Sequence, residues 1–306
     1  MTTGDLLKAA AAQLAGAGID GALREARLLL LEAAGVPIAT QIAFPERIIE
    51  PPALELFRAL VARRATREPM AQILGRREFW SITFKVTADT LDPRPDSETL
   101  VQAVLDQVAD RSAALKLVDF GTGTGCLLLA LLHELPNATG LGVDVSAAAL
   151  AVARQNADAL GLGTRASFRQ AEWDDGLSPS FDILISNPPY IPSGDIADLQ
   201  PEVSAFEPRL ALDGGADGLV AYRRLAPAAA RLLAAEGLAA FEVGIGQSDS
   251  VAAIGRAAGL RHIATAHDLG AVPRCVLFKK QVTRQGLDDP AELQPRAVKK
   301  AIGKPP

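Results

Sequence analysis

Hydrophobic residues recur along the chain with two different periods, and the change of period divides the sequence. Residues 1–65 show only the helical period, with apolar side chains three or four positions apart, as in Leu6, Ala10 and Leu14. Glycines and the pair Pro51-Pro52 interrupt this stretch, and they predict three helices, the last of which begins at the two prolines. We therefore expect a small helical domain over residues 1–75.

A β-type pattern replaces the helical one in the next segment. Its apolar side chains stand at spacings typical of a hairpin, namely Phe79, Ile82, Phe84 and Val86. The string Leu91–Glu98 follows and places Arg94 between two prolines. A residue flanked in this way cannot lie inside a helix or a central strand. We expect a β-hairpin and linker over residues 76–95, and Asp96 or Ser97 as the cap of the next helix.

From about residue 115, strand-like and helix-like segments alternate. Apolar runs rich in β-branched residues predict strands at 115–120, 140–143, 166–170, 181–186, 238–243, 261–266 and 274–278. Helical patterns stand at 126–134, 147–160, 219–235 and 248–258. This alternation predicts an α/β domain over residues 96–281, with a parallel sheet, helices on both faces and an antiparallel last strand. The polar, proline-containing residues 282–306 are predicted to be a disordered tail.

Composition excludes several classes of protein. A net charge of −5 provides no overall basic field, so we expect no direct binding to nucleic acid. Two cysteines and three histidines without ligand spacing predict neither a disulfide framework nor a metal site, and they fit a reducing cytoplasm. The sequence contains neither a signal-peptide pattern nor an apolar run of about 18 residues, so we expect no membrane association.

A glycine-rich turn directly follows the first strand of the α/β region. Gly121, Gly123 and Gly125 would let the backbone turn tightly and let a ligand approach, although this spacing is neither the dinucleotide nor the phosphate-loop pattern. Asp144 ends the second strand 19 positions after Gly125, where a carboxylate can accept hydrogen bonds from both ribose hydroxyls. Together they predict an adenosine-bearing ligand, either a nicotinamide dinucleotide or S-adenosylmethionine.

The string Asn187-Pro188-Pro189-Tyr190 ends the apolar run at 181–186, where an open α/β sheet places its ligands. The asparagine amide oxygen and a proline carbonyl can accept hydrogen bonds from a planar group that bears an NH2, and the tyrosine ring can stack on it. The alternative is a strand-ending turn with a buried tyrosine. This string favours S-adenosylmethionine, because a nicotinamide enzyme has no use for it there.

The combination of Gly121–Gly125, Asp144 and Asn187–Tyr190 resembles class I S-adenosylmethionine-dependent methyltransferases that act on a planar amide or amine nitrogen. Three further strings narrow the resemblance to the HemK/PrmC family: Leu91–Glu98, Phe206–Leu212 and Asp217–Tyr222. That family methylates the glutamine of the Gly-Gly-Gln motif in peptide chain release factors. The resemblance extends from about residue 1 to Lys280. It departs at Asp92, where the family has an apolar residue.

The resemblance implies a Rossmann-like class I methyltransferase fold and a set of site residues. S-adenosyl-L-methionine would be the methyl donor, S-adenosyl-L-homocysteine its product, and release factors the protein partners. The implied donor-binding residues are Gly121, Thr122, Gly123, Thr124, Gly125, Asp144, Trp173 and Asn187, of which Asp144 would hold the ribose and Trp173 would contact the adenine. The implied substrate-binding residues are Asn187, Pro188, Pro189 and Tyr190, of which Asn187, Pro188 and Tyr190 are the implied catalytic residues.

Other interpretations of the same residues stay open. A ribosomal-protein glutamine methyltransferase would carry the same site. A nucleic-acid adenine amino methyltransferase shares the Asn-Pro-Pro-Tyr string, but the negative charge and the lack of a recognisable base-reading domain count against it. A catalytically silent adenosyl-binding module would need that string to be mere structure. Arg94 and Glu207 either border the ligand site or form a salt bridge that pins the long loop after the string.

Overall fold

The structure, a computed structural model, describes residues 1–178 and 180–281. The prediction of a disordered tail at 282–306 falls outside this part of the chain. The N-terminal segment is helical, as expected, with α1 (Thr3–Gly16), α2 (Ala22–Ala34), α3 (Ile38–Ala43), α4 (Pro51–Ala65) and α5 (Met70–Leu74). The period in the sequence reveals α1, α2 and α4, whereas α3 and α5 span six and five residues, too few to establish it.

The N-terminal helices share one hydrophobic core. Leu14, Leu29 and Leu30 are fully buried, and Phe57 of α4 is 2% exposed. Helix α4 begins at Pro51 because the first turn of a helix leaves its N–H groups without intrahelical partners, so a residue without an N–H costs nothing there. The apolar stripe that predicts each long helix is therefore the stripe that the bundle buries.

Strands β1 (Arg76–Phe79) and β2 (Ile82–Lys85) form the expected hairpin. A single turn of 3-10 helix at Pro95–Ser97 then leads into α6 (Glu98–Gln107). Ser97 occupies the N-cap position of this helix, as predicted, but within the described stretch 95–107 neither Asp96 nor Ser97 makes a capping hydrogen bond with its side chain.

Both predicted caps are used by the rest of the fold instead. An Asp96 carboxylate oxygen lies 2.6 Å from a guanidinium nitrogen of Arg274. The Ser97 hydroxyl accepts a hydrogen bond of 3.2 Å from the side-chain amide of Asn187. Sequence spacing alone contains no information on these partners, which are far away along the chain.

The remaining elements build a seven-stranded sheet with helices on both faces. They are β3 (Lys116–Phe120), α7 (Cys126–Glu134), β4 (Thr139–Asp144), α8 (Ala147–Ala159), β5 (Ala166–Gln170), β6 (Phe181–Ser186), α9 (Pro201–Ser204), α10 (Val220–Leu232), β7 (Leu233–Glu242), α11 (Ser248–Ala257), β8 (Leu260–His267) and β9 (Pro273–Lys280). The strand order is β5-β4-β3-β6-β7-β9-β8, and β9 alone among these strands runs in the opposite direction to the other six. The predicted fold class is confirmed.

The sheet separates two hydrophobic cores, and successive residues of a strand contribute to opposite ones. Leu117 and Ile183 face the core formed with α6 and α7, whereas Val118 and Leu184 face the core formed with α10 and α11. All four side chains are at most 3% exposed. Burial on both faces explains why these strands appear in the sequence as continuous apolar runs rather than as alternating ones.

Asn156 of α8 joins three separate segments. Its amide oxygen accepts a hydrogen bond of 2.7 Å from the backbone N–H of Lys85. Its NH2 donates to the carbonyl oxygens of Lys85 at 3.1 Å and Thr124 at 2.9 Å. The side chain, which is 3% exposed, therefore fastens the hairpin to the glycine-rich turn.

We predict that Asn156→Ala destabilises the protein by about 2–4 kcal/mol, because it leaves several buried backbone groups without partners at roughly 1–3 kcal/mol each. Chemical denaturation monitored by circular dichroism measures the loss. Gln155→Ala is the matched control, since Gln155 is the exposed neighbour that accepts a hydrogen bond from the Lys85 ammonium group. Equal stability of the two variants would contradict the prediction.

Candidate active site

The parallel register brings four strand ends to one edge of the sheet. Phe120 of β3 pairs with Val143 of β4 and with Ser186 of β6, and Ser186 pairs with Phe241 of β7. The residues that follow these partners are Gly121, Asp144, Asn187 and Glu242. The glycine turn, the strand-end acid and the Asn-Pro-Pro-Tyr string therefore meet at the edge where open α/β sheets bind ligands.

The three glycines of the turn adopt a backbone conformation that other residues rarely reach. Their φ angles are +69° at Gly121, +54° at Gly123 and +80° at Gly125. A β-carbon on Gly121 would meet no other atom within 4 Å, so its absence leaves open space beside the backbone. At Gly125 a β-carbon would instead lie 3.1 Å from Leu129 and 3.3 Å from Ala153. The first glycine opens the turn to a ligand, and the third permits close packing of helices.

Asp144 is oriented by the turn itself. One carboxylate oxygen accepts a hydrogen bond of 3.0 Å from the Gly123 N–H, and the other accepts one of 2.9 Å from the Ser146 N–H. Ser146 also caps α8, as its hydroxyl accepts a hydrogen bond of 3.2 Å from the Ala149 N–H. The carboxylate is thus held in one orientation while its remaining lone pairs stay available.

A cavity of about 380 Å³ opens beside these residues. Most of the predicted site residues line it, namely Gly121, Thr122, Gly123, Thr124, Asp144, Trp173, Asn187 and Pro189. Gly125, Pro188 and Tyr190 lie outside its lining. Trp173 borders the cavity with a left-handed φ of +51°, a conformation that is uncommon for a tryptophan and often marks a functional site.

The Pro189-Tyr190 backbone is held by Gln247 and passes close to two glycines, of which only Gly218 lies in a string that the sequence analysis selected. The Gln247 side-chain amide donates a hydrogen bond of 2.9 Å to the Tyr190 carbonyl oxygen. A β-carbon on Gly214 would lie 2.9 Å from the Pro189 carbonyl oxygen, and one on Gly218 would overlap the Tyr190 carbonyl oxygen. The glycines of the string Gly214-Gly215-Ala216-Asp217-Gly218 therefore allow the chain to pass directly against the Asn-Pro-Pro-Tyr segment.

Tyr190 packs beside the core that contains Tyr222 and Val243. Burial raises the pKa of Tyr190 to about 12, and the nearby Glu242 carboxylate contributes to the same shift. The phenol is consequently protonated at neutral pH. It can donate a hydrogen bond or present its ring face, but it cannot act as a base.

Two buried carboxyl groups at strand ends also escaped the sequence analysis. Asp119 is 1% exposed, and one of its oxygens accepts a hydrogen bond of 2.7 Å from the Thr122 hydroxyl. Glu242 is 3% exposed and follows directly on Phe241. Burial raises the pKa of each to about 7. In the sequence, each of them is a charged residue inside an apolar run, and this pattern could have indicated both.

Ion pairs hold the long loop between β6 and α10 at two places. A guanidinium nitrogen of Arg94 lies 2.7 Å from both carboxylate oxygens of Glu207, so the pair forms a salt bridge. Arg94 also lines the cavity, so both interpretations hold for this residue. Glu202 binds Arg64 at 2.8 Å and Arg67 at 2.6 Å, and both arginines belong to the helical N-terminal segment. The same loop lines the cavity through Pro208, Leu210 and Ala211.

Two kinds of feature are absent from the described residues. Among residues 1–178 and 180–281, no group of three or more His, Cys, Asp or Glu side chains is placed to hold a metal ion. Over the same residues, no helix combines the length and apolar character needed to cross a membrane.

Comparison with known proteins first identifies the class. The family model for the methyltransferase small domain matches residues 89–226, and the one for the PrmC N-terminal domain matches residues 5–75. The crystal structure of the hMettl16 catalytic domain in complex with an RNA hairpin is 14% identical and has a TM-score of 0.55. The match covers 73% of this chain and 83% of that one, and it shows a shared fold only. The fold is that of a methyltransferase.

Curated relatives identify the family. A release factor glutamine methyltransferase of Rhodospirillum rubrum is 44% identical over 92% of this chain and 86% of the relative. One of Caulobacter vibrioides is 47% identical over 89% of this chain and 94% of the relative. The chain belongs to the release factor glutamine methyltransferase family.

Asp119 should make stability depend on pH. Its folded pKa of about 7 exceeds the usual value of 3.8, so the native protein binds the proton more tightly than the unfolded chain does. The contribution of Asp119 to native stability is therefore greatest below about pH 4. It falls by at most about 4 kcal/mol as the pH rises from about 4 to 7. Asp119→Asn removes this ionisation, so we predict a smaller loss of stability between pH 5 and pH 8.

Urea denaturation of the wild type and of Asp119→Asn at both pH values measures the difference. Asp198→Asn, a substitution of an exposed aspartate, is the control that should leave the loss unchanged. A loss in Asp119→Asn as large as that of the wild type would refute this assignment of the proton.

Proposed function

We propose that this protein transfers a methyl group from S-adenosyl-L-methionine to the side-chain amide nitrogen of the glutamine in the Gly-Gly-Gln motif of peptide chain release factors. One observation carries the proposal beyond the family's name. The Asn187 NH2 group is engaged by Ser97 at 3.2 Å, while Asn187 itself lines the cavity. Its carbonyl oxygen is thereby left to accept a hydrogen bond from a substrate that bears an NH2.

The cavity fits an adenosylated methyl donor. The space left by the missing side chain of Gly121 accommodates a ligand against the turn that runs to Gly125, and the oriented carboxylate of Asp144 suits the two hydroxyls of a ribose. Trp173 offers an apolar surface for adenine at the border of the same cavity. When bound, S-adenosyl-L-methionine supplies an electrophilic methyl group on a positively charged sulfur, and S-adenosyl-L-homocysteine is its product.

The chain's own residues position the acceptor nitrogen. A glutamine amide nitrogen is a weak nucleophile because its lone pair is delocalised into the carbonyl group. The Asn187 side-chain oxygen and the Pro188 carbonyl oxygen accept the two amide hydrogens, which directs the lone pair along the line of transfer and stabilises the positive charge that grows on nitrogen. Positioning of this kind contributes up to about 7–11 kcal/mol in ideal cases, and preorganised acceptors add to it.

No base is needed before transfer under this scheme. Tyr190 has a pKa of about 12 and is neutral, so it binds the planar substrate amide through its ring and holds the substrate beside Pro189. The extra proton leaves the nitrogen after the methyl group has been transferred, when the nitrogen has become acidic. Asn187, Pro188 and Tyr190 are then the catalytic residues, and their contribution is geometric and electrostatic.

The proposal extends to the parts of the chain and to its setting. Residues 1–75 form the domain that docks the release factor, residues 76–95 the linker, and residues 96–281 the methyltransferase domain. Ion pairs from Arg64 and Arg67 to Glu202 support this assignment of roles, since they join residues 1–75 to the loop over the cavity. The protein acts in the cytoplasm, without direct contact with nucleic acid.

Asn187→Ala tests the mechanism. We predict that it lowers kcat by at least about 100-fold, because removing a single preorganised hydrogen-bonding group from an active site costs about 10²–10³ in rate. Purified release factor and S-adenosyl-L-methionine are incubated with each variant, and mass spectrometry of the Gly-Gly-Gln peptide reports the added methyl group. Asn137→Ala, at an exposed asparagine, is the control that should retain full activity.

Near-normal turnover by Asn187→Ala would contradict the mechanism. An unmodified release factor beside a methylated ribosomal protein or nucleic acid, with the wild-type enzyme, would contradict the substrate. Circular dichroism separates a loss of chemistry from a loss of the fold, since Asn187→Ala should keep the wild-type spectrum.

A further inference from the structure

Glu242 is a buried carboxyl group beside the catalytic asparagine. It ends β7, and the pairing of Ser186 with Phe241 places it next to Asn187 on the neighbouring strand. The residue is only 3% exposed. One carboxylate oxygen is buried without a hydrogen-bond partner among the described residues.

Ser97 is the hydrogen-bond partner of the Asn187 side chain. Its hydroxyl oxygen accepts the hydrogen bond from the Asn187 NH2 group, which leaves the hydroxyl proton free to be donated. The Ser97 hydroxyl and the Asn187 NH2 group each favour the ionised form of the Glu242 carboxyl group, which opposes the rise in its pKa that burial causes. The three polar groups therefore form one cluster at the cavity wall, which Ser97 and Asn187 line.

We propose that Glu242 is a positioning residue, whose carboxylate, together with the Ser97 hydroxyl, holds the NH2 group of Asn187 and keeps the amide oxygen turned towards the substrate. This inference rests on the proposed function. The two ends of an asparagine amide have nearly the same shape, so packing alone discriminates poorly between the two orientations. An ionised carboxylate only accepts hydrogen bonds, and it therefore selects the NH2 end of the amide.

The charge state of Glu242 controls this selection. Burial raises the pKa of Glu242 to about 7, against the opposing effects of Ser97 and Arg274 and with a further increase from Asp96. Arg274 is itself paired with Asp96 at 2.6 Å and with Asp268 at 2.8 Å. Above pH 7 the carboxylate is ionised and only accepts, whereas below pH 7 the protonated acid can donate to the Asn187 oxygen and favour the wrong orientation.

The tyrosine and cysteine side chains around Glu242 keep their protons over this range. Burial raises the pKa of Tyr190 and that of Cys126 to about 12. It also raises the pKa of Tyr222 and that of Cys275 well above their ordinary values. Burial also raises the pKa of Asp119 and that of Glu207 to about 7. A change in activity with a midpoint near pH 7 is therefore assigned to Glu242 only where a substitution of Glu242 removes it.

Glu242→Gln is the decisive variant, because a carboxamide fills the same space but offers both a donor and an acceptor. We expect kcat to fall about 10- to 100-fold at pH 8, with the KM for the methyl donor changed less than about twofold. We also expect the wild-type decline in kcat below about pH 7 to disappear in the variant. Glu236→Gln is the matched control, since Glu236 is an exposed glutamate of the same strand.

A second measurement is independent of substrate and of turnover. The side-chain NH2 resonance of Asn187 in the nitrogen-15 spectrum, assigned by its loss in Asn187→Ala, should shift with a midpoint near pH 7 in the wild type. The shift should be absent in Glu242→Gln and retained in Glu236→Gln. A resonance that does not titrate in the wild type would overturn the proposal, whatever the substrate of the enzyme is.

The kinetic outcomes separate this proposal from the proposed function. Wild-type turnover of the release factor peptide, combined with an unchanged kcat and a retained acid decline in Glu242→Gln, overturns the positioning role alone. A fall in kcat that merely matches a loss of folded protein, measured by circular dichroism, overturns it as well. If the wild type fails to modify the glutamine, the proposed function fails, and the resonance titration still decides the role of Glu242.

Discussion

The parallel register of β3, β4, β6 and β7 is the constraint on which the site depends. It places the carboxyl ends of four strands at one edge of the sheet. The glycine turn, Asp144 and Asn187 are therefore neighbours although they are far apart in the sequence. Both faces of these strands are buried, and a slip by one residue would move Leu117 and Val118 to the opposite cores. The packing that makes the fold stable therefore also fixes the geometry of the site.

The site is completed from outside the sheet by charged contacts over long sequence distances. Arg64 is 5% exposed and lies between Glu25 and Glu202, at 2.6 Å and 2.8 Å. A charge buried to this extent is tolerated because it is paired, and removing one partner would leave the other uncompensated. The helical N-terminal segment and the loop over the cavity are consequently coupled. If either moved away, the Arg64 guanidinium would lose a carboxylate partner or become exposed to solvent.

Local patterns predicted the architecture well and the polar network poorly. Continuous apolar runs in the sequence predicted the strands. The ends of two of these runs predicted the positions of Asp144 and Asn187. The predicted helix at 219–235 is too long, because Leu233 belongs to β7 and continues the same apolar pattern. The contacts of Asp96 and Ser97, like those of Gln247, depend on partners that only the folded chain brings close. Tertiary hydrogen bonds have no periodicity in the sequence.

Asp92, the visible departure from the family pattern, is 6% exposed in the structure, with Arg77 and Arg94 each 3.9 Å away. The departure is thus accommodated by two guanidinium groups, and burial still raises the pKa of Asp92. Buried polar residues fall into two kinds here. Asn156, whose hydrogen bonds join three segments, stabilises the fold. Asp119 and Glu242 are ionised above pH 7 at a cost in stability, so their presence is explained by the site that they border rather than by the fold.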